Sequence, residues 1–217
     1  MKLSDTTLNA LKGFSSINSG MLFQKGSVLK TISPEETIRV EVEVAESFPV
    51  VFGIYDLPTF VSNLSLMNSP DMEFTENSVI IRDDDGMKFI YGVCSPEVIS
   101  YPKEDAVWDS EDFSFNLSEK VLTKFLKLAA MNSFNTLSLK GVSGKITLKV
   151  HDVDNPISNA VSAEVSEFVG EDFDFDFKIE LLKMQIMDFV VKVKTSDGFL
   201  LFENESKKYK YFVSSEI

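Results

Sequence analysis

Three lysines, Lys120, Lys124 and Lys127, recur at spacings of four and three residues. On a helix this spacing puts all three on one face. Val121, Leu122, Phe125, Leu128 and Ala129 fall on the opposite side. Point charges on flexible stems suit a loose, water-filled, sequence-independent contact with a polyanionic backbone. Lysines on a solvated face also serve solubility alone, so the row takes its meaning from the rest of the chain.

Other reactive side chains are scarce. His151 is the only histidine, so histidine metal sites and Ser-His-Asp arrangements have at most one candidate. Its place at the end of a strand reads as structural or surface. Cys94, the only cysteine, closes an apolar strand and reads as a small core residue. One cysteine rules out an internal disulfide and leads to the expectation of a reducing cytoplasm. Asp83-Asp84-Asp85-Gly86 lacks the further ligands and the twelfth-position Glu of a calcium loop, and reads as a hairpin turn. A phosphate-binding glycine loop is missing. The expectation is therefore no catalysis, no metal and no cofactor.

These residues need elements to hold them. The chain has 217 residues, 44% of them hydrophobic, with 19 phenylalanines. That is ample for two small domains with real cores. The opening Met1-Lys2-Leu3-Ser4-Asp5 has no signal-peptide character, and no run reaches the roughly 18 apolar residues of a membrane span. A soluble intracellular protein with no membrane partner is expected.

An internal repeat organises the sequence. With Leu3-Ser4 placed over Leu117-Ser118, Leu8 falls on Leu122, Leu11 on Phe125, Phe14 on Leu128 and Ile17 on Met131, and Asn18-Ser19 falls on Asn132-Ser133. Both segments, 5–16 and 118–131, read as amphipathic helices with a serine placed to cap the first turn. Gly26 and Gly141 fall in matching turns. Val79-Ile80-Ile81-Arg82 runs to Asp85-Gly86 as Val190-Val191-Lys192-Val193 runs to Asp197-Gly198, each a hairpin signal.

Each copy then predicts the same order. A short strand leads into the first helix. Strands follow at Met21–Phe23, Val28–Ile32 and Ile38–Val44, against Thr136–Lys140, Lys145–His151 and Ala160–Val165. Next comes a second helical segment, 57–67 or 179–187, and then a hairpin, 78–93 or 188–202, with a further strand at 208–214. Asp172 to Phe177 alternates Asp with Phe, one face core and one face solvent. The boundaries are 1–94 for the first domain, 95–110 for a connector with Pro96, Pro102 and the only tryptophan, Trp108, and 111–217 for the second domain.

At this point the chain resembles a known family, the T4-type bacteriophage DNA polymerase sliding clamps. The residues that carry the resemblance are Met1-Lys2-Leu3-Ser4-Asp5-Thr6-Thr7, Ile17-Asn18-Ser19-Gly20, Ile54-Tyr55-Asp56-Leu57, Leu64-Ser65-Leu66 with Asn68, and Lys183-Met184-Gln185. Ile186-Met187 stands where the family would have a helix-breaking residue. The resemblance implies an α+β fold of two similar domains, each with antiparallel sheets and two helices, in one subunit of a closed homotrimeric ring. It implies a processivity factor that encircles double-stranded DNA without reading sequence, in the cytoplasm of the infected bacterial host. Its partners would be further copies of itself, the replicative polymerase, an ATP-dependent clamp loader and late-transcription factors.

Charge distribution fits that picture. The net charge is −13, which spread evenly would repel phosphate. The four helical segments hold Lys2, Lys12, Lys120, Lys124, Lys127, Lys178 and Lys183 against Asp5, Asp56, Glu119 and Glu180. They carry a net +3, which leaves −16 for the remainder. These seven lysines are the candidate DNA-facing residues, and an acidic exterior would steer DNA toward them. Relatives also take a partner's terminal peptide into an apolar pocket near the connector, so Val98, Ile99, Tyr101, Trp108, Tyr211, Phe212 and Val213 are candidates for that pocket. The competing reading is a β-rich phage structural or accessory binding protein that does not encircle DNA.

Overall fold

Ser4 accepts the Thr7 amide at 3.3 Å and opens α1 (Asp5–Ile17). Ala10, Leu11, Phe14 and Ile17 recur at helical spacing and are buried, giving the stripe that packs on the rest of the unit. The computed structural model describes residues 1–155 and 157–215. It divides into two units, Met1–Asp105 and a second from Ala106 onward.

In the first unit, α1 is followed by β1 (Met21–Phe23), β2 (Gly26–Ile32), β3 (Ile38–Phe48) and β4 (Phe52–Ile54). β1 pairs with β4 and β2 with β3, both antiparallel. β3 turns Ile38, Val40, Val42 and Val44 inward, the period-two burial of a strand with one wet face. Asp56 then caps α2 (Leu57–Leu66), accepting the Thr59 amide at 3.0 Å, with Pro58 in the first turn. Proline is tolerated there because that amide has no helical partner. β5 (Asp71–Phe74), β6 (Ser78–Arg82) and β7 (Lys88–Gly92) form an antiparallel sheet in that order, and Lys2 bridges to Asp71 of β5.

The start of the expected connector is built into this unit. Cys94 donates its amide to the Gly53 carbonyl at 3.0 Å. Ile99 is buried against Gly20 and Gly53, and Lys30 pairs with Asp105. Asn18, the turn residue of the repeat, is buried with its amide nitrogen on the carbonyls of Ile32 and Ser100, both at 2.9 Å, and its oxygen on the Gly20 amide. A buried amide satisfied at both ends fixes where the chain leaves α1.

In the second unit β8 (Phe113–Leu117) leads into α3 (Glu119–Asn132). Then come β9 (Thr136–Val142), β10 (Lys145–His151), β11 (Ala160–Glu167), β12 (Phe173–Lys178), β13 (Phe189–Lys194), β14 (Phe199–Asn204) and β15 (Tyr209–Ser214). β11, β10, β9 and β12 lie in that order, and β15, β14, β13 and β8 follow one another in a second ladder. The strand pairing repeats the first unit. β12–β9 and β10–β11 match β4–β1 and β2–β3. β13, β14 and β15 match β5, β6 and β7, and β8 joins β13 as Lys2 bridges β5. The duplication read from sequence is thus present in the hydrogen-bond topology.

Two expectations need correction. The helix expected over 179–187 is a single 3-10 turn, Ile179–Leu181, and 182–188 is irregular. Lys178 stands before it where Asp56 stands before α2, and no side chain caps it. The Gln185 amide, which a helix would bond to its own backbone, donates to the Tyr211 hydroxyl at 3.2 Å. The second unit therefore has one α-helix among its described residues, and the expected pair of helices is found only in the first. Gly141, expected in a turn, lies within β9. The turn glycine is Gly144, whose φ of +80° is left-handed. Among the described residues no helix is long and apolar enough to cross a membrane.

Candidate nucleic-acid interface

α3 begins where Ser118 accepts the Val121 amide at 3.3 Å. Leu122, Phe125 and Ala129 are buried and seat the helix over β10. Val121 and Leu128 are half-buried flanks. Lys120, Lys124 and Lys127 are exposed along the opposite face. They line a groove of about 750 Å³ with Thr123, Leu128, Met131, Glu119 and Asp188. Met131 is 81% exposed, so the face runs from a carboxylate-bearing end at the helix N-terminus to an apolar end.

None of these three ammonium groups has an ion pair among the described residues. Several lysines on the strands of the same unit do. Lys140 meets Asp174 at 2.6 Å, Lys145 meets Glu164 at 2.9 Å, and Lys192 meets Glu203 at 2.9 Å. Unpaired cations on one helix keep their charge available to an external anion.

The other four candidate lysines are not gathered with them. Lys12 is exposed on α1. Lys2 precedes α1, and its ammonium lies 3.4 Å from Asp84. Lys178 ends β12 rather than opening a helix. It alternates with Phe177 and shares the polar side of the strand with Asp174 and Asp176. Lys183 is exposed in the irregular stretch after the 3-10 turn. α2 presents Pro58, uncharged polar groups and Leu66 to solvent, as its sequence requires.

The residues offered for a peptide pocket divide by burial. Val98 is 58% exposed, and Tyr101 and Trp108 are half-exposed. The Trp108 indole donates to Glu111 at 3.1 Å. Ile99, Tyr211 and Val213 are core residues instead. Tyr211 packs edge-on to Phe189 and is 1% exposed, and burial pushes its phenol well above the usual range. A side chain already filling its own core has no surface left for a ligand, so these three are withdrawn. Phe212 is half-buried on β15.

His151 ends β10, as expected. Its Nε2 lies 2.8 Å from the Ser138 hydroxyl, which also bonds Asp176. An ionised aspartate only accepts, so Ser138 donates to Asp176 and accepts from His151. The histidine therefore carries its proton on Nε2. In a serine nucleophile site the acid orients the histidine; here it holds the serine directly, and Ser138 is 4% exposed on its sheet. Burial, helped by Lys149, holds the imidazole below its usual value against the pull of Asp176. Burial also raises the Cys94 thiol, which disfavours the thiolate. Asp83 Oδ1 accepts the amides of Asp85 and Met87 at 3.0 and 2.8 Å, closing a turn around Gly86. Among the described residues no three His, Cys, Asp or Glu side chains gather as a metal would need.

Sequence reasoning missed Asp188, whose carboxylate accepts the Glu119 amide at 2.8 Å from 69 positions away. No local signal marks such a pair. It also missed a second groove, of about 690 Å³, with Val121, Phe125, Val165 and Phe189 among its lining residues.

No family model matches the chain. Over its whole length it is similar to the sliding clamp of Vibrio phage KVP40, 28% identical over 222 residues, covering 100% of this chain and 99% of that one. The sliding clamp of Escherichia phage RB69 is 24% identical over 224 residues, covering 100% and 97%. Among solved structures, PCNA from Thermococcus kodakaraensis matches with a TM-score of 0.73 at 12% identity, covering 100% of this chain and 99% of that one. PCNA of A. fulgidus, solved with the C-terminal region of FEN-1 bound, matches with a TM-score of 0.71 at 13% identity, covering 100% and 97%. A duplicated unit of antiparallel sheets with few helices, matched end to end in this way, defines the fold as that of a DNA sliding clamp. Over its whole length the chain is similar to the sliding clamps of T4-type bacteriophages, and it is a DNA sliding clamp, a processivity factor of DNA replication.

Proposed function

We propose that the chain is one subunit of a homotrimeric ring that encloses duplex DNA and tethers the replicative polymerase in the cytoplasm of the infected bacterium. It performs no catalysis, and a separate ATP-dependent clamp loader opens the ring. The observation that carries this reading is the row of exposed, unpaired lysines on α3 in a chain of net charge −13. A cationic strip in an anionic protein leaves DNA one favourable approach, and lysine contacts to phosphate carry no sequence preference.

Copies would join through strand edges. β7 ends one sheet of the first unit and β11 ends one sheet of the second. Ile90 on β7 is 58% exposed. Two unlike edges make a head-to-tail contact, the kind that generates a ring when the rotation closes. Partner peptides from the polymerase, the loader or late-transcription factors would dock near Val98, Tyr101 and Trp108. The FEN-1 segment bound to A. fulgidus PCNA supports a peptide mode of docking.

Light scattering tests the assembly: a mass three times that of the chain is expected, and a monomer mass overturns the ring. Changing Lys120, Lys124 and Lys127 together to Glu should abolish loader-dependent stimulation of polymerase processivity. Undiminished stimulation would remove the charge argument.

A further inference from the structure

Asn18 and Asn132 match in the repeat, at the C-terminal ends of α1 and α3. They are used differently. Asn132 is exposed, and its amide nitrogen donates back to the Leu128 carbonyl of its own helix at 2.7 Å. Asn18 is buried and reaches away from its helix. Its amide nitrogen donates to the Ile32 carbonyl at the end of β2 and to the Ser100 carbonyl, 82 positions on, both at 2.9 Å. Its oxygen takes the Gly20 amide at 2.9 Å. A side-chain amide has two hydrogens to give, and both are spent.

The bond to Ser100 falls where little else holds the chain. Just before it, Ile99 is seated in the core so closely that a Cβ on Gly53 would stand 2.7 Å from its Cδ1. Further on, Lys30 pairs with Asp105. Between Ser100 and Glu104 the Asn18 bond is the one hydrogen bond to the backbone among the described residues. Pro102 is buried there but has no amide to be held by. The pinned carbonyl lies between Val98, 58% exposed, and the half-exposed Tyr101.

We infer that Asn18 is a positioning residue for the partner-peptide surface. By pinning Ser100 it presents Val98 and Tyr101 as a ready-made edge for an apolar terminal peptide. This rests on the reading that such peptides dock near Val98 and Tyr101. A connector that is already ordered spares the incoming peptide the entropy of ordering it. Asn132 holds no distant segment, so the task belongs to the first copy of the repeat alone.

The test uses the full chain and, as probe, a fluorescent C-terminal peptide of the replicative polymerase, with binding followed by anisotropy well below the melting range. Asn18→Ser keeps an oxygen for the Gly20 amide, but its side chain is too short to reach Ser100. It should weaken the peptide about tenfold, roughly what fixing one backbone residue anew costs. It should also lower the backbone order parameters of Ser100 and Tyr101. Val42→Ala removes buried volume from β3 of the same unit, and should lower the melting temperature while keeping the affinity. Tyr101→Ala should weaken the peptide directly. Weakening by Tyr101→Ala with none by Asn18→Ser, or equal weakening by Val42→Ala and Asn18→Ser, would overturn the inference and leave the docking surface standing. Unchanged affinity in Tyr101→Ala would remove the docking surface itself, and the inference with it.

Discussion

Gly141 lies directly against the ring of Phe173: a Cβ built on the glycine would stand 2.1 Å from Phe173 Cε1 and 2.8 Å from Phe168 Cζ. The two aromatic rings are themselves packed edge to face at 5.3 Å, so neither can retreat without disturbing the other. Gly141→Ala should therefore destabilise the second unit by about 1–3 kcal/mol through overpacking, read as a lower urea midpoint at unchanged slope. Gly13, with open space around its missing Cβ, is the control. Gly13→Ala should be neutral or stabilising, since alanine is the better helix former.

Glu203 ties β13 to β15. It is buried and bonds both Lys192, at 2.9 Å, and Lys210, at 3.3 Å. Burial pushes its carboxyl upward, but the two ammonium groups outweigh burial and hold it below the ordinary 4.5. A carboxyl depressed by folding stabilises above its unfolded value and loses that contribution as pH falls through the folded one. The protein should lose stability as pH drops below about 4.5, and Glu203→Gln should flatten that limb in calorimetry. At neutral pH the same substitution should cost about 1–3 kcal/mol.

His151 gives a second pH window. Its folded value lies below 6.5, so the unfolded chain binds the proton more readily. The neutral ring's contribution is present above 6.5 and fades as pH falls through the folded value. His151→Gln should remove this slope in melting temperature between neutral and mildly acid pH. Ser138→Ala, which deletes the Nε2 partner, should change the His151 titration followed by proton resonance.

Single lysines on α3 should separate binding from stability. Lys120→Gln, Lys124→Gln and Lys127→Gln should each leave the melting temperature within error, because none has an ion pair to lose among the described residues. In a double-logarithmic plot of duplex affinity against salt, each should lower the slope by about one. A steep loss of stability in any of them would show the side chain to be structural.

On the ring reading, Ile90→Lys should shift the scattering mass from trimer toward monomer by placing a charge on the open edge of β7. An unchanged trimer would put the subunit contact elsewhere.

Much of the fold was legible before any coordinates. Ser4 and Ser118 announced two helices because a short side chain that takes an amide two or three residues on is a local event; the Asp56 cap of α2 is of the same kind. The Asp-Gly pairs at 85–86 and 197–198 marked hairpins, since both glycines adopt positive φ. The alternation in Phe173–Lys178 gave its buried face directly. The segment 179–187 deceived because its apolar spacing suits a helix, while the deciding group, the Tyr211 hydroxyl, lies 26 positions from the Gln185 amide it captures.

The sequence by itself determined the duplication, the class of fold and the one helix that carries three lysines in a row, because capping, turn chemistry and periodicity act over a few residues. Only the tertiary structure decided which charges stay unpaired. It took Lys178 to the polar side of a strand, drew Tyr211 and Val213 into the core, and brought Asp188 to the start of α3. Each of these depends on which distant strand lies alongside, and composition and spacing do not encode that proximity.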